Sequence, residues 1–280
     1  GNVPAFKQGC RKESMTAFPR FGVDGLSNSD QNSRVESPWL LRFTTAALGA
    51  PRVICLPHAG SGASAFRNLT HGFFADMEML VIQYPGRETR LGTPPIGDLN
   101  RMAEQIADAV RPFLDRPTML FGHSMGAKIA YELVRKLREL ESPLPERLIV
   151  SCSPAPHRAG AIDPAYKGSD DEFLSYLRQL GGIPEELLEV DEMIELMLPV
   201  LRADFELLDR YRPPADDGTL SCPITAIFSP EDETVTPADV AMWEELTNLP
   251  FQLHSVSGGH FYFPLHNETL PDILAAGTNN

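Results

Sequence analysis

Cysteine is scarce in this chain of 280 residues: there are four, Cys10, Cys55, Cys152 and Cys222, far apart from one another. That spacing excludes the close pairs of a zinc-binding motif and the dense framework of a small disulfide-stapled domain. Three of the four lie in apolar, strand-like runs, which reads as buried free thiols and leads us to expect a reducing, cytoplasmic setting. Long apolar runs are also missing. No stretch reaches the roughly 18 residues that cross a bilayer, so no membrane span or membrane partner is expected. The first six residues lack the basic-then-apolar order of a signal peptide. An initial Gly in place of Met suggests a processed or tagged start, and Met15 would serve as a natural one. Basic residues are outnumbered, 24 Lys and Arg against 38 Asp and Glu, for a net charge of −14. A nucleic-acid partner needs phosphates neutralised by a basic surface, and this balance argues against one.

What is present divides into zones. Residues 1–36 include Gly22-Val-Asp-Gly-Leu-Ser-Asn-Ser-Asp-Gln-Asn-Ser33, rich in turn formers and poor in large apolar side chains. Such a stretch cannot offset the entropy of being ordered, so a flexible tail or linker is expected. From Trp39 the texture changes to alternating strands and helices, and an apolar content of 42% is enough for one sizeable core. Residues 39–45, 52–56, 79–84, 118–121, 148–152, 224–228 and 251–256 read as strands. Runs such as Met119-Leu-Phe121 and Leu148-Ile-Val150 are apolar throughout, as in the central strands of a parallel sheet covered on both faces. Between them, residues 100–114 carry Met102, Ile106, Val110 and Phe113 on one helical face, and residues 127–140 carry a second apolar stripe. Thr236 before Pro237, with Asp239 three positions on, marks another helix start. A short helical stretch is expected at 267–275.

Residues 157–216 break this rhythm. They read as short helices at 170–180, 185–188, 191–196 and 201–211, with Ser169 and Glu172 spaced as a capping box. An all-helical insertion between two sheet strands is expected to form a lid over the active face. A surplus of its apolar side chains would line an acyl channel. The expected domains are therefore a tail at 1–36, a core of 37–156 and 217–276, and a lid of 157–216.

The strongest local signal is Leu120-Phe-Gly-His-Ser-Met-Gly126, where an apolar strand passes directly into an amphipathic helix. A nucleophile on so sharp a turn needs small residues two positions to either side, and Gly122 and Gly126 supply them. Ser124 is the candidate nucleophile, and the Met125 N–H, at the helix start, can face a developing oxyanion. A serine alcohol needs a base. His260 in Ser257-Gly-Gly-His-Phe-Tyr-Phe263 follows the last strand, as this chain order requires. His123, His254 and His266 fit that role less well, and His71 and His157 have no partner pattern. Asp232, in a loop leaving a strand 28 residues before His260, is the candidate acid, with Glu231 and Glu233 as competitors. The alternative location, the end of the strand after the nucleophile, reads Ser151-Cys-Ser-Pro-Ala155 and carries no carboxylate. A second oxyanion donor is expected at Ala59, in Ile54-Cys-Leu-Pro-His-Ala-Gly-Ser-Gly62. A phosphate-binding loop is a rival reading of these glycines, but no Gly-Lys-Ser/Thr follows.

Together, Leu56-Pro-His-Ala-Gly60, Gln83-Tyr-Pro-Gly-Arg-Glu88, Phe121-Gly-His-Ser-Met-Gly126, Leu201-Arg-Ala-Asp204, the Asp232 loop and Gly258-Gly-His-Phe-Tyr262 resemble the type II thioesterases of polyketide and non-ribosomal peptide biosynthesis. The chain is also similar to the medium-chain acyl hydrolases of fatty acid synthesis. The resemblance, which runs from about Trp39 onward, implies an α/β-hydrolase fold with a mostly parallel central sheet flanked by helices, and a catalytic set at Ser124, Asp232 and His260 with oxyanion donors at Ala59 and Met125. It implies an acyl thioester substrate on the phosphopantetheine arm of an acyl or peptidyl carrier protein, with no metal and no cofactor of the enzyme's own. Two small departures stand out: Ser61 and Ala127 occupy positions where the family commonly has glycine. Two alternatives share these residues. One is an oxygen-ester hydrolase or acyltransferase on the same fold, and the other a non-catalytic subunit that docks carrier proteins.

Overall fold

A computed structural model describes residues 34–47, 49–70, 77–158, 160–214 and 218–262. Within these residues, eight strands form one sheet in the order β1-β2-β4-β3-β5-β6-β7-β8. β1 (Arg34–Ser37), β2 (Leu40–Arg42) and β4 (Glu78–Ile82) are neighbours that pair antiparallel. All other neighbours are parallel: β4 with β3 (Arg52–Leu56), then β5 (Thr118–His123), β6 (Arg147–Ser151), β7 (Ile224–Phe228) and β8 (Phe251–Ser255).

The apolar runs account for the parallel centre. β3, β4 and β5 are buried at every residue, because helices cover both faces of the sheet. Side chains alternate between those faces: Ile54 and Leu56 join one core, Val53 and Cys55 the other. α1 (Leu99–Val110) and α2 (Met125–Glu139) pack into the first core through Met102, Ile106, Ile129 and Leu133. Asp98 starts α1 by accepting from the Arg101 N–H at 2.8 Å.

The insertion between β6 and β7 is helical, with α3 (Asp170–Leu180), α4 (Glu185–Leu188) and α5 (Asp191–Arg210). Ser169 and Glu172 close the expected capping box, satisfying two backbone N–H groups at the start of α3. Phe173, Leu177, Leu188, Leu198, Leu201 and Phe205 pack on one another, so much of the lid's apolar surface forms its own small core. After β7, α6 (Pro237–Ala241) begins at Thr236, whose side chain accepts from Asp239 N–H.

Several expectations are corrected. The lid segments 191–196 and 201–211 are one helix, α5, running through Pro199. An interior proline costs about 3 kcal/mol and removes the bond to the carbonyl of Glu195. Burial of Leu198, Val200, Leu201 and Phe205 around it outweighs that local cost. β1 falls partly inside the stretch 1–36 expected to be a tail, since Val35 pairs with Leu41 across the antiparallel edge. The strand expected at 39–45 is short, ending at Arg42, and the helix expected to reach Leu114 gives way after Val110 to a 3-10 turn over Arg111–Phe113. Pro112 explains that change, because it has no N–H to continue the α pattern. The helical stretch expected at 267–275 and the rest of the tail lie outside the described residues.

Candidate active site

β5 ends where α2 begins, and Ser124 sits between them with φ 55° and ψ −117°. A non-glycine residue in that region carries about 1–3 kcal/mol of strain, held here by the surrounding backbone. Ser124 N–H donates to the Ser151 carbonyl at 2.8 Å. The two motif glycines are sterically required. A Cβ on Gly122 would lie 2.4 Å from the Gly126 carbonyl oxygen, and one on Gly126 would lie 2.0 Å from that of Leu56. The second clash also shows that the start of α2 lies against the chain leaving β3, the segment that carries Ala59.

The residues singled out at the far end of the sequence arrive beside this turn. Ser124 Oγ is 3.1 Å from His260 Nε2, and His260 Nδ1 is 2.7 Å from Asp232 Oδ2. The Asp232 side chain is fully buried, and that of His260 is 15% exposed. Burial alone would raise the Asp232 carboxyl, but the hydrogen bond and charge of His260 and bonds from Thr234 outweigh it and hold the group below its usual range. Of the competitors, Glu233 is exposed and Glu231 turns to other work, accepting from Ser229 Oγ at 2.7 Å and from Gly258 N–H at 3.2 Å. Thr234 went unnoticed in the sequence: its N–H and Oγ donate to Asp232 Oδ1 at 2.8 and 2.6 Å, and its Oγ lies 3.0 Å from His260 Nδ1. Ser229 ties the two loops together by accepting from Gly259 N–H at 3.0 Å.

The other histidines divide by position. His123 is fully buried beneath the turn, with its Nδ1 3.0 Å from Ser151 Oγ, which lies 2.9 Å from Tyr262 OH. Burial first, then the neighbouring histidines, drives its pKa well down. His58 stacks edge-on against Phe261 at 4.9 Å between centroids, and burial lowers it from 6.5 to about 4. A neutral His58 adds no second positive charge beside His260. His157 pairs with Glu245 at 2.9 Å on the surface, His254 lies on β8, and His71 and His266 lie outside the described residues.

The Gln83–Glu88 segment supports the loop after β3. Tyr84 OH donates to the Pro57 carbonyl at 3.1 Å, and Gln83 Oε1 accepts from Ala63 N–H at 3.1 Å. Glu88 takes the Ser64 hydroxyl at 2.5 Å. The sequence pattern marks this segment but not its partner, because these bonds join residues 20 or more positions apart.

Cys152, Asp232 and His260 are the described residues whose potential ligand atoms come close together, within 4.8 Å. Two of the three already bond each other. Burial, then the Asp232 charge, raises the Cys152 thiol well above its usual range and disfavours the thiolate that a soft metal takes. The trio fits a hydrogen-bonded site better than a metal centre.

Fold and site together define a serine hydrolase of the α/β-hydrolase type. The chain belongs to the thioesterase family: residues 51–275 match its thioesterase domain. It is 38% identical over 228 residues to the thioesterase PikA5 of Streptomyces venezuelae, covering 80% of this chain and 79% of that one. It is 36% identical over 224 residues to the gramicidin S biosynthesis protein GrsT of Aneurinibacillus migulanus, covering 80% and 87%. Its structure is similar to that of BorB, a type II thioesterase from the borrelidin biosynthetic cluster, with a TM-score of 0.78 and 34% identity over 87% of this chain and 98% of that one. The chain is thus an enzyme of the type II thioesterase group.

Proposed function

We propose that this enzyme hydrolyses acyl thioesters borne on the phosphopantetheine arm of an acyl or peptidyl carrier protein, releasing or editing acyl groups during polyketide or non-ribosomal peptide synthesis. The observation that carries this reading is the chain of contacts from Ser124 Oγ through His260 to Asp232, at 3.1 and 2.7 Å, in a member of the thioesterase family. The descriptions of GrsT and BorB, which refer to biosynthesis, support the setting.

In this mechanism neutral His260 accepts the Ser124 proton through Nε2 as Oγ attacks the thioester carbonyl. Asp232 holds the ring by its Nδ1–H and stabilises the imidazolium. The Ala59 and Met125 N–H groups receive the oxyanion. Collapse of the tetrahedral intermediate breaks the C–S bond, His260 returns the proton to the departing thiol, and an acyl-serine remains. Water, deprotonated by His260, then attacks the acyl carbon and releases the acid and Ser124. The reaction asks for neither a metal nor a cofactor of the enzyme's own, because phosphopantetheine arrives with the substrate. The buried free thiols Cys55, Cys152 and Cys222 support a reducing, cytoplasmic workplace.

Intact-mass measurement of an acyl-loaded carrier protein tests this directly. Incubation with the enzyme should remove the mass of the acyl group, and Ser124→Ala should not. An acyl carrier left intact by the native enzyme, beside an oxygen ester that it cleaves, would overturn the thioester reading.

A further inference from the structure

The loop carrying Ala59 is held from a second side, by the lid. Asp204 of α5 is fully buried and accepts from the Gly60 N–H at 2.7 Å. The same carboxylate takes a forked pair of bonds from Arg87, at 2.6 and 2.9 Å, and Arg87 donates in turn to the Ser61 carbonyl at 3.3 Å. Leu201, nearly one turn earlier on α5, closes against the same point: a Cβ on Gly60 would lie 2.5 Å from its Cδ2.

These contacts pin one peptide group. The Ala59 carbonyl oxygen lies 3.0 Å from His58 Nδ1, and the Gly60 N–H of the same peptide is bound to Asp204. With both ends of that planar unit held, the plane on the carboxyl side of the Ala59 Cα is fixed, which limits how far the adjoining peptide, the one that carries the Ala59 N–H, can turn. We propose that Asp204 and Arg87 are positioning residues for the oxyanion donor at Ala59, so that the lid helix α5 is part of the catalytic apparatus as well as a cover. This rests on the reading of Ala59 as an oxyanion donor.

The two residues contribute differently. Asp204 orients the peptide, but an unneutralised carboxylate one residue from the donor would oppose the developing negative charge. Arg87 supplies the compensating charge, and the two charges act on neighbouring His58 with opposite sign. Loss of Arg87 should therefore slow the reaction more than replacement of Asp204 by its neutral isostere.

The test uses the full chain, an acyl N-acetylcysteamine thioester, an alkyl boronic acid that mimics the tetrahedral intermediate, and a fluorophosphonate probe. Asp204→Leu, which removes the acceptor of the Gly60 N–H that an Asn amide oxygen would keep, should lower kcat about 10²-fold, the effect of losing one oxyanion donor, with KM nearly unchanged and the boronate inhibition constant rising in parallel. Arg87→Met should lose more than Asp204→Asn. The double variant Arg87→Met with Asp204→Leu should regain thermal stability without regaining kcat. The proposal falls if folded Asp204→Leu keeps kcat within about threefold of the parent, or if the double variant recovers rate along with stability. Fluorophosphonate labelling of Ser124 forms an oxyanion-like centre whatever the natural substrate. If the parent labels but leaves the thioester intact, the proposed function fails alone. If the variants label as fast as the parent, the positioning role fails alone.

Discussion

Two buried arginine–carboxylate pairs stand at opposite ends of the same sheet. Arg52 and Glu78 open β3 and β4 at their amino ends, and Arg87 and Asp204 lie beyond the carboxyl ends, against the loop after β3. Arg52 and Glu78 are 3% and 5% exposed, Arg87 and Asp204 5% and 0%. By burial and chemistry they are alike. They differ in what else they hold. Arg52 reaches Asp115 at 2.7 Å and the Phe113 carbonyl, and Glu78 also meets Arg42, which ties strands and a helix end together far from any reacting atom. Asp204 holds a backbone N–H one residue from the proposed oxyanion donor. A buried ion pair is therefore no sign of function in itself; the group that it orients decides.

The comparison requires changes at the catalytic end to act on rate and those at the other end on stability. The largest effect is expected for Ser124→Ala, which should remove about 10⁶ in kcat on an acyl thioester with the thermal midpoint little changed; unaltered turnover would end its assignment as nucleophile. Asp232→Asn should follow, with a loss of about 10³–10⁴ from a ring left in the wrong tautomer, read as steady-state kcat. At the opposite end, Arg52→Met should destabilise the fold by about 1–3 kcal/mol by removing one of the arginines that meet Glu78, measured by urea denaturation, while kcat per folded molecule stays at the parent value. A matching loss of kcat there would erase the distinction between the two ends.

Acid should weaken the catalytic end through His58. Its folded pKa, about 4, lies below the ordinary 6.5, so between these values the unfolded chain binds the proton and the folded one does not. Stability therefore falls as pH drops from about 6.5 towards 4, by up to about 3 kcal/mol from this group. The denaturation midpoint of His58→Asn should change less over that range than the parent's; equal changes would remove His58 as the cause. The smallest effect concerns the lid away from the oxyanion loop. Ser169→Ala should cost about 1 kcal/mol by breaking the α3 capping box, with kcat unchanged.

Legibility differed sharply from one feature to the next. Ser124, His260 and Asp232 stood out because each lies in a short pattern with a local physical cause: glycines at a tight turn, glycines before a loop histidine, a carboxylate just past a strand. The structure brings their side chains within hydrogen-bond distance. Thr234 was missed because a threonine in an acidic loop has no distinguishing pattern. The break expected between 196 and 201 is absent, since lid packing carries α5 through Pro199.

The linear order of residues determined the parallel α/β plan, the strained turn at Ser124 and the identities of its two partners, because strand periodicity, helix caps and glycine spacing are local properties. Tertiary structure alone decided that Asp204, 144 positions along from Gly60, binds its N–H. A buried carboxylate is stable only where charged and polar partners meet it, and which partners do so is settled by how α5 packs over the sheet.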